Sequence, residues 1–428
     1  MTSSRLPFAA RVTTMLLLCA STAGAHAQLR LPSLNLPLPR GLDQELVSHA
    51  AGRLLDSRVP GDLTGTRLDQ VAQLLRRHAD VLEADPRGEP AVRREILATS
   101  PSPDGLARAA ALGLTVLRVQ RLEELEQSIV VLAVPTNGAT AVLLAALRAA
   151  DPDGTYDFNH LYSGSGDAPA VPAGPARGGA VGLVDSGVDT AHTALSGASV
   201  RRWGCDGGAR PHRHGTAVAA LLVGQDDRFR GAAPKTPLYA ADIYCDSPTG
   251  GSAERIGAAL AWLAGQRVGV INLSLVGPPN EALRRVVAAM VARGHLLVAA
   301  VGNDGPAAPP LYPAAYPGVV GVSAVDRNGR PLPEAARGPQ VMFAAPGSQM
   351  ASAAPGTPPY RQVRGTSFAA PLVAALLAPQ LPHPDGAAAR EAVARLARQA
   401  LPGPVPERDA IGYGIVGAEL RVDPATLR

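Results

Sequence analysis

The sequence predicts an α/β fold: a twisted parallel sheet with helices on both faces, preceded by a smaller α+β unit. Three observations carry this. From Gly179 onward, apolar strand-like runs alternate with helical stretches. Near-continuous apolar strands separated by helices belong to parallel sheets covered on both sides. Residues 94–162 follow the order strand, helix, strand, strand, helix, strand, that of a split βαβ sandwich. Between the two lies 163–178, rich in Gly, Ala, Pro and Ser, which reads as an exposed linker and domain boundary.

In chain order, residues 1–27 read as an export signal. Arg5 and Arg11 precede the apolar run containing Met15–Ala20, and Ala25-His26-Ala27 is a small-x-small cleavage site that leaves Gln28 first. The run is short for a bilayer span, and no later run is long and apolar enough, so the mature chain is expected to be secreted, extracellular or periplasmic, without a membrane span. Leu29–Arg40 is rich in Leu and Pro and reads as extended. Residues 42–58 and 67–84 carry helical apolar spacing, as in Leu68, Val71, Leu74 and Leu75, and offer no chemistry; 28–93 is therefore an N-terminal helical segment of unassigned role. In 94–162 the predicted strands are 95–99, 114–120, 128–134 and 155–162, and the predicted helices 103–112 and 139–149. In 179–428 the predicted strands are 180–185, 237–244, 268–275, 295–301 and 319–325. Helices are predicted at 214–223, 253–266, 280–293 and 366–377.

Composition narrows the function classes. The chain has 428 residues, 46% hydrophobic and only 4% aromatic, enough for an Ala-, Val- and Leu-based core. That excludes a wholly disordered, coiled-coil or disulfide-dense chain. Gly 45 and Pro 40 without a triplet period exclude collagen and point to many turns. The net charge is +4, and the basic residues, nearly all Arg with Lys235 the one lysine, are scattered among acids. No nucleic-acid partner is expected from such a distribution. Cys19 leaves with the signal. Cys205 and Cys245 remain, an even number in an oxidising compartment; a bridge or two buried thiols both fit.

Four polar segments fall at element ends: Asp185-Ser186-Gly187, His214-Gly215-Thr216, Gly302-Asn303-Asp304-Gly305 and Gly365-Thr366-Ser367. Each alone reads as a turn or a helix cap. Together, at the carboxyl ends of strands, they supply the parts of an activated hydroxyl nucleophile. His214 is the base, Asp185 fixes its tautomer, and Ser367 at a helix N-terminus attacks. The Ser367 N–H and the Asn303 amide face the developing oxyanion.

These segments, with Ile271–Leu275, Arg230–Pro234, Leu238–Tyr244, Tyr312–Val325 and Gly412–Leu420, resemble the motifs of subtilisin-like serine peptidases across residues 176–422. The order Asp, His, Ser is that of subtilisin. The resemblance implies a secreted serine endopeptidase, monomeric and self-processed, with the triad Asp185, His214 and Ser367 and oxyanion donor Asn303. It implies protein or peptide substrates bound as an added strand along Ser274 and Leu275. The unit at 94–162 is similar to the family's inhibitory propeptide, with the cut expected within Ser163–Ala173. Val276, Gly302 and Leu311 line the implied pocket for the residue before the scissile bond. Val276 and Leu311 stand where relatives that accept large aromatics tend to carry Gly, so small or medium apolar residues are expected there. The segments of Cys205 and Cys245 both approach the cleft rim in such a fold, which favours the disulfide. No cofactor is required. Gly224–Gly231 is short where the family's calcium loop would lie, so Asp226 and Asp227 read as turn residues ahead of ligands to a structural calcium, which stays the alternative. Two rival readings remain: a peptide-binding relative without catalysis, and a metal pair at His212 and His214 with Asp185, which lacks a third ligand at recognisable zinc spacing.

Overall fold

A computed structural model describes residues 63–164, 179–208, 210–404 and 407–427. All of them belong to one compact unit, Val59–Arg428. The signal segment, the expected helix at 42–58 and the linker from 165 to 178 lie outside the described residues.

The larger part is a seven-stranded sheet of β7 (Val181–Asp185), β8 (Val200–Trp203), β9 (Leu238–Asp242), β10 (Val270–Leu273), β12 (Leu296–Ala300), β13 (Val320–Val325) and β14 (Val341–Pro346). Their order is β14-β13-β12-β10-β7-β9-β8, and every pairing is parallel. Alternate side chains enter opposite layers, as the pleat requires. Val181, Leu183, Val270, Val298 and Ala300 pack with α4 (Arg213–Val223), α7 (Thr366–Leu377) and α8 (Gly386–Gln399). Val184, Ile271, Leu273, Leu297 and Ala299 pack with α5 (Ala253–Gly265) and α6 (Glu281–Ala292). Both faces are buried, which is why the strands read as unbroken apolar runs.

The smaller sheet holds β1 (Leu82–Ala84), β2 (Pro90–Thr99), β3 (Thr115–Leu122), β4 (Gln127–Ala133) and β5 (Tyr156–His160), all pairings antiparallel. One face carries Ile96, Ala98, Val130 and Leu132 against Leu144 and Leu147 of α3 (Thr140–Ala150) and Ala109 of α2 (Pro103–Ala111). The other presents Leu97, Leu122, Ile129 and Val131 to α5 and α6 of the large part. The sheet begins upstream of residue 94: β2 starts at Pro90, and β1 with α1 (Leu63–Arg77) extends it. The expected helix over 67–84 ends at Arg77 because β1 takes its last three residues.

The contact between the parts is also polar. Asp157 Oδ2 accepts the Glu281 N–H at 2.8 Å and Asn159 Oδ1 accepts the Glu254 N–H at 3.4 Å. Both donors lie in the first turn of a helix, where N–H groups lack intrahelical partners and the dipole favours a carboxylate. Arg118 adds a bridge, bonded to Glu95 in its own sheet and to Glu254 of α5.

Candidate active site

Asp185 ends β7, and His214 lies in the first turn of α4. Both are buried, and His214 Nδ1 lies 2.7 Å from Asp185 Oδ1. The same Asp185 oxygen accepts the Ser186 N–H at 2.6 Å, which fixes the carboxylate. His214 Nε2 is buried without a hydrogen-bond partner. An imidazole held at one nitrogen and open at the other can take a proton from a hydroxyl.

Ser367 is the second residue of α7 and fully buried. Its Oγ–H donates to the Ser274 carbonyl at 3.0 Å, and the Ser274 hydroxyl returns a bond of 2.7 Å to the Ser367 carbonyl. Thr366 N–H donates to Asn303 Oδ1 at 3.0 Å, and Gly302 N–H donates to Thr366 Oγ1 at 3.2 Å. With its oxygen engaged on the helix, Asn303 keeps its amide nitrogen for another acceptor. The ends of β7, β10 and β12 and the starts of α4 and α7 thus bring Asp185, His214, Ser274, Asn303 and Ser367 to one locus.

A short strand was not legible in the sequence as part of this site. β6 (Ser163–Gly164) pairs antiparallel with β11 (Leu275–Val276), in the register Gly164 with Leu275 and Ser163 with Val276. Gly164 lies on the imidazole: a side-chain carbon there would stand 3.1 Å from His214 Cε1 and 3.2 Å from both ring nitrogens. Upstream, Tyr162 is buried. Its N–H donates to Gly251 O (2.9 Å), its hydroxyl to Pro278 O (2.8 Å), and its carbonyl accepts from Tyr244 Oη (3.1 Å). Gly277 admits the ring, since a side-chain carbon there would meet it at 2.4 Å. The run of small residues after Tyr162 was the available signal, but period-two patterning cannot mark a two-residue strand.

Val276, Gly302 and Leu311 do meet. A carbon built on Gly302 would stand 2.7 Å from Leu311 Cδ1 and 3.6 Å from Val276 Cγ1, and both side chains are buried. Around the histidine, a cavity of about 330 Å³ is lined by Gly164, Asp185, His214, Asp242, Tyr244 and Asp246, among others. Burial pushes the Asp242 carboxyl up, and Asp185 nearby adds to this. Burial, with His214 beside it, holds the His212 pKa below its ordinary value.

His212 and His214 are each engaged at Nδ1 by groups of the chain. His212 Nδ1 lies 3.0 Å from Ser186 Oγ and accepts the His214 N–H at 3.3 Å, while His214 Nδ1 is committed to Asp185. Cys205 and Cys245 are joined as a disulfide. They are also two of the three members of the one metal-like cluster among the described residues, with Asp242 the third. Asp226 acts in a turn: Oδ1 accepts the N–H groups of Arg228 and Phe229, and Oδ2 accepts from Thr193 and Tyr360. Among the described residues no helix is long and apolar enough to cross a membrane.

A family model described as the Subtilase family matches residues 176–414. Subtilisin DY of Bacillus licheniformis is 33% identical over 206 residues, covering 45% of this chain and 73% of that protein. Thermitase of Thermoactinomyces vulgaris is 34% identical over 205 residues, covering 46% and 72%. Among solved structures, fervidolysin from Fervidobacterium pennivorans, described as a keratinolytic enzyme related to subtilisin, superposes over 79% of this chain and 62% of its own. Its TM-score is 0.65 at 20% identity, a likeness of fold.

Proposed function

The chain belongs to the subtilase family and is a serine-type endopeptidase acting on peptide bonds; from this we propose that it is exported as a self-inhibited precursor that cuts itself after Ser165. One observation carries the proposal: Ser163–Gly164 occupies β11 as an added strand, with Gly164 against His214. Substrate chains bind an open strand edge in the same way. β6 ends with Gly164 opposite Leu275, and the carbonyl of the neighbouring Ser274 holds the Ser367 hydroxyl. The bond from Ser165 to Gly166 is the proposed scissile bond, inside the small-residue stretch. Residues 63–164 belong to the inhibitory unit, which caps α5 and α6 with Asn159 and Asp157.

In the proposed reaction the Ser367 hydroxyl leaves Ser274 O and attacks the substrate carbonyl carbon while His214 Nε2 takes its proton. Asp185 holds the tautomer and stabilises the imidazolium. The carbonyl oxygen becomes an oxyanion between the Asn303 amide and the Ser367 N–H. His214 then gives its proton to the amine as the C–N bond breaks. Water, deprotonated by the same ring, releases the acyl group. No cofactor is needed, and the active species is a secreted monomer.

The pocket for the residue before the scissile bond is assigned to Val276, Gly302 and Leu311, where a carbon added at Gly302 would already stand 2.7 Å from Leu311 Cδ1. Overpacking costs about 1–3 kcal/mol, so Phe or Tyr there lowers kcat/KM roughly ten- to hundredfold against Ala or Val. A series of peptides varied at that one position measures this, and a Phe or Tyr peptide outperforming Ala and Val contradicts it. The proposed chemistry as a whole predicts protein hydrolysis that a serine-directed covalent inhibitor abolishes and a chelator does not. Inhibition by chelation alone would refute it.

A further inference from the structure

We infer that α1 is a latch that keeps the cleaved inhibitory unit seated in the cleft, and that Arg67 is its catch. The inference rests on the self-inhibition just proposed and adds a contact outside both the strand in the cleft and the sheet on α5 and α6.

Arg67 is nearly buried, with 12% of its side chain exposed. Its Nη1 and Nη2 donate to Glu89 Oε1 and Oε2 at 3.1 and 2.6 Å, and its Nε lies 3.5 Å from Asp304 Oδ2. Glu89 belongs to the turn between β1 and β2 of the inhibitory unit. Asp304 follows Asn303 in the peptidase. One guanidinium therefore joins the helix, the inhibitory sheet and the loop that carries the oxyanion donor. Farther along, Leu74 and Leu75 of α1 pack with Leu82, Val92 and Leu161, the residue that leads into Tyr162. A cavity of about 430 Å³ is lined by Arg67, Val71 and Leu74 of the helix together with Tyr162, Ser163 and Tyr244. The helix thus shares a cavity with the inserted tail.

The charges make the contact sensitive. Glu89 and Asp304 come from opposite sides of the interface and share one cation. Burial pushes the Asp304 carboxyl up, Arg67 opposes this, and Glu89 adds to it. Without Arg67, two carboxylates face each other across a partly buried contact, and an uncompensated buried charge is costly. Cutting the chain after 165 leaves the unit held by non-covalent contacts alone, so this is the stage at which the latch matters.

The experiment uses the full-length chain and two readouts: chain cleavage followed by gel, and the lag before activity on an added peptide. Arg67→Gln should leave the cleavage rate unchanged and shorten the lag roughly tenfold, within the range for losing a partly buried ion pair. Arg67→Gln combined with Glu89→Gln removes the repulsion and should recover part of the lag. An Arg67→Gln lag equal to the parent's overturns the latch. If the parent never cuts itself, self-processing fails first, and hydrogen exchange on the Ser367→Ala chain decides the latch separately. Exchange at residues 161–164 that is protected in Ser367→Ala and faster in the Arg67→Gln form supports it. Equal protection in both, or none in either, overturns it.

Discussion

Ser367→Ala is expected to leave the precursor at full length and to reduce peptide hydrolysis by about 10⁶-fold. Members of a triad act as a unit, so losing the nucleophile removes nearly the whole contribution of the set. What remains is the roughly 10³–10⁴-fold over water that binding and the oxyanion donors supply. The substitution deletes one hydroxyl, whose bond goes to the Ser274 carbonyl, while the Ser274 bond to the Ser367 carbonyl is retained. The variant should therefore fold and hold Ser163–Gly164 on β11. Steady-state rates on a peptide, together with the mass of the purified chain, check both parts. Processing at the parental rate in the variant expressed alone would assign the cut to another protease.

Asn303→Ala is expected to lower kcat by about 10²–10³-fold with KM changed little, because its amide meets charge that develops only in the transition state. Asn303 has a second job, since its oxygen caps α7 at the Thr366 N–H. Losing a cap of this kind costs about 1 kcal/mol of stability and does not explain a rate loss of that size. Asn303→Asp separates the two: it keeps the cap oxygen and loses the donor. If kcat falls in Asn303→Ala and returns in Asn303→Asp, the oxygen rather than the amide nitrogen is the functional atom.

The large sheet was legible because its central strands are buried on both faces and the sequence between them is helical. β7, β10, β12 and β13 fall inside the predicted runs. The site followed from the same regularity, since Asp185 ends a strand, Asn303 follows the end of another, and His214 and Ser367 lie in the first turns of helices. β8 was not legible: it is an edge strand, Val200-Arg201-Arg202-Trp203, with both arginines exposed, and edge pairing leaves little apolar pattern. β15 (Met350–Ala353) and β16 (Tyr360–Val363) are four-residue strands that pair only with each other, too short for a period to show. The role of α1 was hidden for a different reason. Its apolar spacing announced a helix, but its polar contacts go to Glu89 and Asp304, 22 and 237 positions away, and no local pattern encodes such partners. Leu68, which contributed to that spacing, is exposed.

The identity of the first residue of the processed chain tests the central claim most directly, because β6 ends with Gly164 against His214, next to the Ser274 carbonyl that holds the Ser367 hydroxyl. Mass spectrometry of the parent protein, expressed alone and allowed to process, should find a chain beginning at Gly166 and its counterpart ending at Ser165, with neither in Ser367→Ala. A chain beginning at Ser163, which would require Tyr162 rather than Ser165 before the cut, would contradict both the register and the narrow pocket formed by Val276 and Leu311.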